Sequence, residues 1–191
     1  MVEKIYNWTV DVEKDWGGRS ETEEGLRRGM PILLKTFRTF NIRALLFIST
    51  ELLHTHRRII KELNDEGHEI ASHGHFHIIY EEEFRKEADK KLSLELLAAH
   101  QSIPKESIRY RAPKFNYEVP GEFYSYRKSH VSLLKHMWLG ERINNETIIY
   151  LHPFDIVGGS NPPNLFCRLW YSRPNVAYET LRRLLHENMF N

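Results

Sequence analysis

Apolar and polar residues alternate with two different periods along this chain, and the switches between them mark its elements. Ile5 to Val12 reads as a buried strand in which Val10 and Val12 alternate with Asp11 and Glu13. From Glu21 to Phe40 the apolar positions Leu26, Met30, Leu33, Leu34 and Phe37 fall at helical spacing. Pro31 lies inside that segment, so the helix is expected to begin near it or to kink there. Arg43 to Ser49 is a short apolar run of strand type. Glu51 to Glu66 returns to the helical period, and Gly67 is its expected cap. His68 to Ser72 predicts a strand, Glu81 to His100 a long charged amphipathic helix, and Ser107 to Arg111 a strand-like stretch stopped by Pro113. Thr147 to Leu151 is the last clear strand, and Val176 to Met189 a closing helix. The interval from Lys114 to Glu146 supports no confident strand.

Strand followed by helix, repeated along a chain, predicts a parallel sheet with crossover helices, either an α/β barrel or a related open sheet. In such folds the chemistry sits beyond the carboxyl ends of the strands. Asp11, His73, Arg111 and His152 each fall at the end of a predicted strand.

Length and composition narrow the function classes. The 191 residues suit one domain, and 41% hydrophobic with 12% aromatic residues is a globular composition. The 27 Lys and Arg balance 26 Asp and Glu, which argues against a nucleic-acid footprint. No apolar run reaches the roughly 18 residues of a membrane span. The N-terminal segment lacks a basic stretch followed by an apolar one, so a cytoplasmic location is expected. Cys167 is the single cysteine, which excludes an intramolecular disulfide.

The stretch HEIASHGHFH places His73 and His77 four residues apart after a short apolar run. If the chain coils into a helical turn there, the two imidazoles project to one side. With one carboxylate they would form a facial metal site. TVDVEKDW offers that carboxylate: Asp11, Glu13 and Asp15 alternate, and three acids on one strand face repel one another unless a cation is present. A solvent-facing acidic edge is the competing reading of the same alternation. His75 should point elsewhere, and His68 is expected to be solvated. Arg111 can hold a carboxylate in fixed geometry or can serve as a capping surface residue. His152, after four apolar residues, is placed for proton transfer or for a structural hydrogen bond. Among the aromatic residues Trp16, Phe76, Phe115, Tyr117 and Trp170, the first and third are the best candidates for stacking on a sugar.

In this order the segments resemble the polysaccharide deacetylase (NodB-homology, carbohydrate esterase family four) family. Its first motif pairs a catalytic aspartate with a metal-binding acid, matched by Asp11 and Glu13 with the D-x-E spacing of one branch. Its H-x-x-x-H motif is matched by His73 and His77, its R-x-P motif by Arg111 and Pro113, and its strand ending in histidine by YLHPFD with His152. NPPNLF and LRRLLHENMF are similar to the tail of that branch. The resemblance spans nearly the whole chain. The family's fourth motif, with an Asp and often a Trp, has no convincing counterpart; Tyr124, Tyr126 and Trp138 are the nearest residues.

The resemblance implies a distorted, incomplete (β/α) barrel formed as a single catalytic domain over residues 1–191. It implies a metal-dependent deacetylase acting on non-peptide carbon–nitrogen amide bonds of an N-acetylated sugar or polysaccharide. One divalent ion, zinc first and cobalt or nickel as substitutes, is expected on Glu13, His73 and His77, with Asp15 the alternative to Glu13. Asp11 is the expected general base, Arg111 its orienting partner and His152 the acid. A carbohydrate or small amide is the expected partner, with neither nucleic acid nor membrane, and a second subunit could cover an incomplete wall. Three alternatives remain: hydrolysis of a small or cyclic amide, as in allantoinase-like relatives; a degenerate barrel that binds sugar without turnover; and a purely structural role, in which the clustering of Asp11, His73, His77, Arg111 and His152 is an accident.

Overall fold

The strands Trp8–Val12 (β1), Leu45–Ile48 (β2), Glu69–Ser72 (β3), His130–Ser132 (β4) and Ile148–Leu151 (β5) pair in the order β3-β2-β1-β5-β4, every neighbour parallel. This computed structural model describes residues 7–16, 20–113, 130–139, 147–158, 162–163, 165–170 and 172–188. β1, β2 and β5 are buried along their full length, as expected where helices cover one face of a parallel sheet and other chain fills the other. Tyr110 adds a single parallel bridge beside Ser72, so the predicted strand at Ser107 to Arg111 is reduced to that bridge after a 3₁₀ turn.

The pleat sorts side chains between two layers. Trp8, Val10 and Val12 of β1, Leu46 and Ile48 of β2, Ile70 of β3, and Ile149 and Leu151 of β5 enter the main core with residues of the helices. On the opposite face lie Leu45, Phe47 and Ala71, a much smaller apolar group, and the polar Thr9 and Asp11 share that parity on β1. The inner face of the sheet is therefore where buried polar chemistry collects.

The helices follow the predicted spacing with local corrections. A π-turn, Gly25–Gly29, leads without a break into α1, Met30–Thr39, whose second residue is Pro31. Gly29 permits this turn to press on the 3₁₀ turn Pro153–Ile156: a Cβ there would lie 2.0 Å from the Pro153 carbonyl oxygen. The predicted helix from Glu51 to Glu66 is split at His56 into α2, Leu52–Thr55, and α3, Arg57–Asp65; the His56 ring pairs with Glu23 at 2.8 Å. Gly67 caps α3 in the left-handed region, with φ of 78°.

His68, expected in solvent, is buried, and its Nδ1 accepts the Ala44 N–H at 3.1 Å. Burial, with a smaller contribution from Arg43, lowers its pKa against the pull of Glu66. α4, Glu83–Gln101, is the long charged helix. Part of the unassigned interval from Lys114 to Glu146 contains β4 and α5, Leu133–Leu139. α6, Leu165–Trp170, and α7, Pro174–Asn188, complete the described elements. No helix among the described residues is long and apolar enough to cross a membrane.

Candidate metal centre and its surroundings

Strand register brings the site residues to one level. Val12 is level with Ile48, and Ile48 with Ser72, so Glu13 and His73 emerge at one level from β1 and β3, on either side of β2. Val10 pairs with Leu151, which puts His152 level with Asp11. The bridge at Ser72 and Tyr110 puts Arg111 at the same edge.

Glu13, His73 and His77 are buried, and one ligand atom from each lies within 4.8 Å of the others. His73 Nε2 is 3.3 Å and His77 Nε2 2.6 Å from Glu13 Oε2. Asp11 Oδ2 lies 3.9 Å from His73 Nε2. The turn between the histidines is not helical: Gly74 takes φ of 84°, and the loop rather than a helix turn presents both rings to Glu13.

The donor chemistry fits a divalent ion. His73 Nδ1 lies 2.9 Å from the Arg111 carbonyl oxygen and can only donate to it, which leaves a lone pair on Nε2 of the neutral ring. That lone pair faces a buried carboxylate oxygen. Two buried acceptors at this separation repel unless positive charge lies between them. Two imidazoles and one carboxylate, one ring already fixed by a carbonyl partner, match the ligands and outer contacts of a zinc-type centre. Burial opposes the charge on Glu13, yet His77 and, less strongly, His152 hold its carboxyl well below the usual range. Burial likewise opposes protonation of His77, but Glu13 outweighs it and raises the pKa.

Asp11 and Arg111 form the inner flank. Arg111 Nη1 donates to Asp11 Oδ1 at 2.5 Å and Nη2 to Thr9 Oγ1 at 3.0 Å, while the guanidinium lies 3.8 Å over the Phe47 ring. Planar stacking and a two-nitrogen fork fix one geometry, which a lysine would not reproduce.

His152 forms the outer flank, with Nε2 3.5 Å from Glu13 Oε1 and Nδ1 3.4 Å from Asp155 Oδ2. The same Asp155 oxygen accepts the His152 backbone N–H at 2.7 Å. Phe154 stacks on the imidazole, centroids 4.8 Å apart, and packs in turn against Trp16. Asp155 thus supplies a carboxylate partner to His152 from the same strand-end turn, a role the sequence pattern left unfilled although Asp155 closes the YLHPFD segment.

Two expectations need correction. Asp15 lies beyond the end of β1 and leaves its alternation; it accepts the Thr22 hydroxyl at 2.9 Å and the N–H groups of Glu24 at 3.0 Å and Gly25 at 2.9 Å. It therefore caps the π-turn and does not join Glu13. Trp16 is buried against Phe154 instead of lining an open groove. Phe76 is exposed beside His77, and His75 turns away to Thr50 Oγ1 at 2.9 Å. Phe115, Tyr117, Tyr124 and Tyr126 lie outside the described residues, while Trp138 and Trp170 fall in α5 and α6.

The polysaccharide deacetylase family profile matches residues 22–119, which include His73, His77 and Arg111. No curated protein matches the chain. Among solved structures, a peptidoglycan N-acetylglucosamine deacetylase is similar over 96% of this chain and 83% of its own, at 16% identity and a TM-score of 0.58. The Xyl-CE4 domain of a multidomain xylanase, from the hindgut metagenome of Trinervitermes trinervoides, covers 93% of this chain and 82% of its own at 14% identity and a TM-score of 0.54. A CE4 family pseudoenzyme from Bacillus anthracis covers 92% of this chain at 11% identity and a TM-score of 0.53, and this chain spans 60% of its length. An allantoinase chain is spanned over 44% of its length. The first three likenesses show the fold as the (β/α) barrel of that group.

Proposed function

The chain belongs to the polysaccharide deacetylase family, and from that premise we propose that it is a hydrolase removing N-acetyl groups from an N-acetylated sugar with one divalent metal ion. The observation that supports this most is the buried convergence of Glu13 Oε2, His73 Nε2 and His77 Nε2, with Asp11 close to His73 and His152 close to Glu13. Those three residues would hold the ion and leave positions open for water and substrate. Zinc suits the set, and cobalt and nickel accept the same donors. When bound, the ion supplies Lewis acidity toward the amide carbonyl and lowers the pKa of its water.

The chain's own groups handle the protons. Asp11 accepts the water proton at Oδ2, since Oδ1 is engaged by Arg111. His152 donates a proton to the departing amine. Burial disfavours the charged ring, but in the metal-free protein Asp155 and Glu13 outweigh it and raise its pKa to about 9; Asp155, the larger of the two and no ligand, still favours the protonated ring when the ion is bound. Asp11 and His152 thus perform opposite tasks beside one centre, level with each other on neighbouring strands.

Elemental analysis of the purified protein, with acetate release from N-acetylglucosamine oligomers, tests this reading. About one metal per chain and turnover are expected. Asp11→Asn should keep its metal and lose on the order of 10²–10⁴-fold in rate, while His73→Ala should lose both. A metal-loaded protein that releases no acetate from any oligomer would refute the substrate, and full activity in Asp11→Asn would refute the base.

A further inference from the structure

The loop that carries both histidines is held from two sides. Its carbonyls at Gly74 and His75 accept the N–H groups of Thr50 at 3.0 Å and Glu51 at 3.1 Å, from the start of α2. Its N–H groups at His75 and Phe76 donate to a single carboxylate: Asp89 Oδ2 at 2.9 Å and Oδ1 at 3.2 Å. Asp89 projects from α4 and is buried. The contact is close enough that a Cβ on Gly74 would lie 2.7 Å from Asp89 Oδ2 and 3.2 Å from Pro113 Cγ. Four residues along α4, Ser93 Oγ accepts from Ser72 Oγ at 2.7 Å, immediately before the loop.

A carboxylate is the side chain that receives two adjacent N–H groups on two separate oxygens. Bonds to a charged acceptor are stronger than neutral ones, and here they fix the residues between His73 and His77. The spacing of the imidazoles, and hence their fit to one ion with Glu13, depends on that turn. We propose that Asp89 is a positioning residue for the metal centre: it touches neither ion nor substrate, and it sets divalent-metal affinity through the backbone of the His73–His77 loop.

This rests on the metal reading above, and the experiment separates the two. Zinc affinity of the full chain is measured by chelator competition in the wild type, Asp89→Asn, Asp89→Ala and the control Glu87→Gln, an exposed residue of the same helix. Melting temperatures of the metal-free proteins and hydrogen exchange at the His75 and Phe76 amides are recorded alongside. Outer contacts of metal ligands typically contribute 10–100-fold in affinity. Asp89→Ala is expected to weaken zinc by about that factor, and Asp89→Asn, which keeps one acceptor, by less, with faster exchange at both amides and no change in Glu87→Gln. A role in stability alone would lower the melting temperature and leave the affinity of the folded protein unaltered. If Asp89→Ala does not fold, Asp89→Asn decides. Unchanged affinity in the folded variants overturns the positioning role while the metal reading stands. Absence of zinc binding in the wild type overturns the metal reading and this role with it.

Discussion

His152 shows how one neighbour sets a side chain's chemistry. Its ring is stacked by Phe154 and paired through Nδ1 with Asp155 in a turn that begins at the next residue. In the metal-free protein burial lowers its pKa, and the carboxylates of Asp155 and Glu13 more than offset that, to about 9. Asp155→Asn keeps an acceptor for the His152 N–H and removes the charge. The ring should then titrate lower in a proton NMR titration of the metal-free protein, because the largest raising contribution is gone while burial still opposes the charge. The sign for stability follows. A histidine whose folded pKa is raised adds stability that is fully present below its unfolded value near 6.5 and is lost as pH rises through about 9. The metal-free wild type should therefore lose more stability than Asp155→Asn over that window in chemical denaturation. A titration of His152 that Asp155→Asn leaves unmoved would assign the shift elsewhere.

Elements that end in an apolar run announced their chemistry, and elements that bury polar stripes did not. Asp11, Glu13, His73, Arg111 and His152 were legible because each lies at or just past the end of a hydrophobic strand segment, where parallel sheets place their sites. Asp89 was not. The buried positions of α4 are Asp89, Ser93 and Leu97, spaced by four, while Phe84, Leu92 and Leu96 of the same helix are exposed. A reading based on apolar spacing assigns the inward face to the wrong side chains. β4 escaped because three residues are too few for a period to show. Close backbone contact was equally hidden. Gly29 lies at the end of the π-turn before α1, where helix propensity alone makes Gly→Ala stabilising by up to about 1 kcal/mol. The Cβ would meet the Pro153 carbonyl at 2.0 Å, which is main chain and cannot swing aside. Overpacking costs about 1–3 kcal/mol and should win, so Gly29→Ala is expected to lower the melting temperature. A rise would mean that the two turns are not in contact.

Across the whole molecule, the three prospective ligands come from segments distant in sequence, Glu13 after β1 and the two histidines after β3, and only the folded sheet brings them together. An unfolded chain offers no comparable site, so metal binding must stabilise the fold by linkage. At a free metal concentration one hundred times the dissociation constant the gain is about 2.7 kcal/mol. For a domain of this size each 1 kcal/mol moves the melting temperature by roughly 2–4 °C. Zinc should therefore raise the midpoint by about 5–11 °C, a chelator should reverse the rise, and the increment should grow with the logarithm of metal concentration. His73→Ala removes a ligand and should abolish the increment. Asp11→Asn leaves all three ligands in place and should retain most of it even where turnover is lost. That contrast, read by calorimetry without any substrate, separates the residues that hold the ion from the residue that uses it. Equal loss of the increment in both variants would place Asp11 among the ligands.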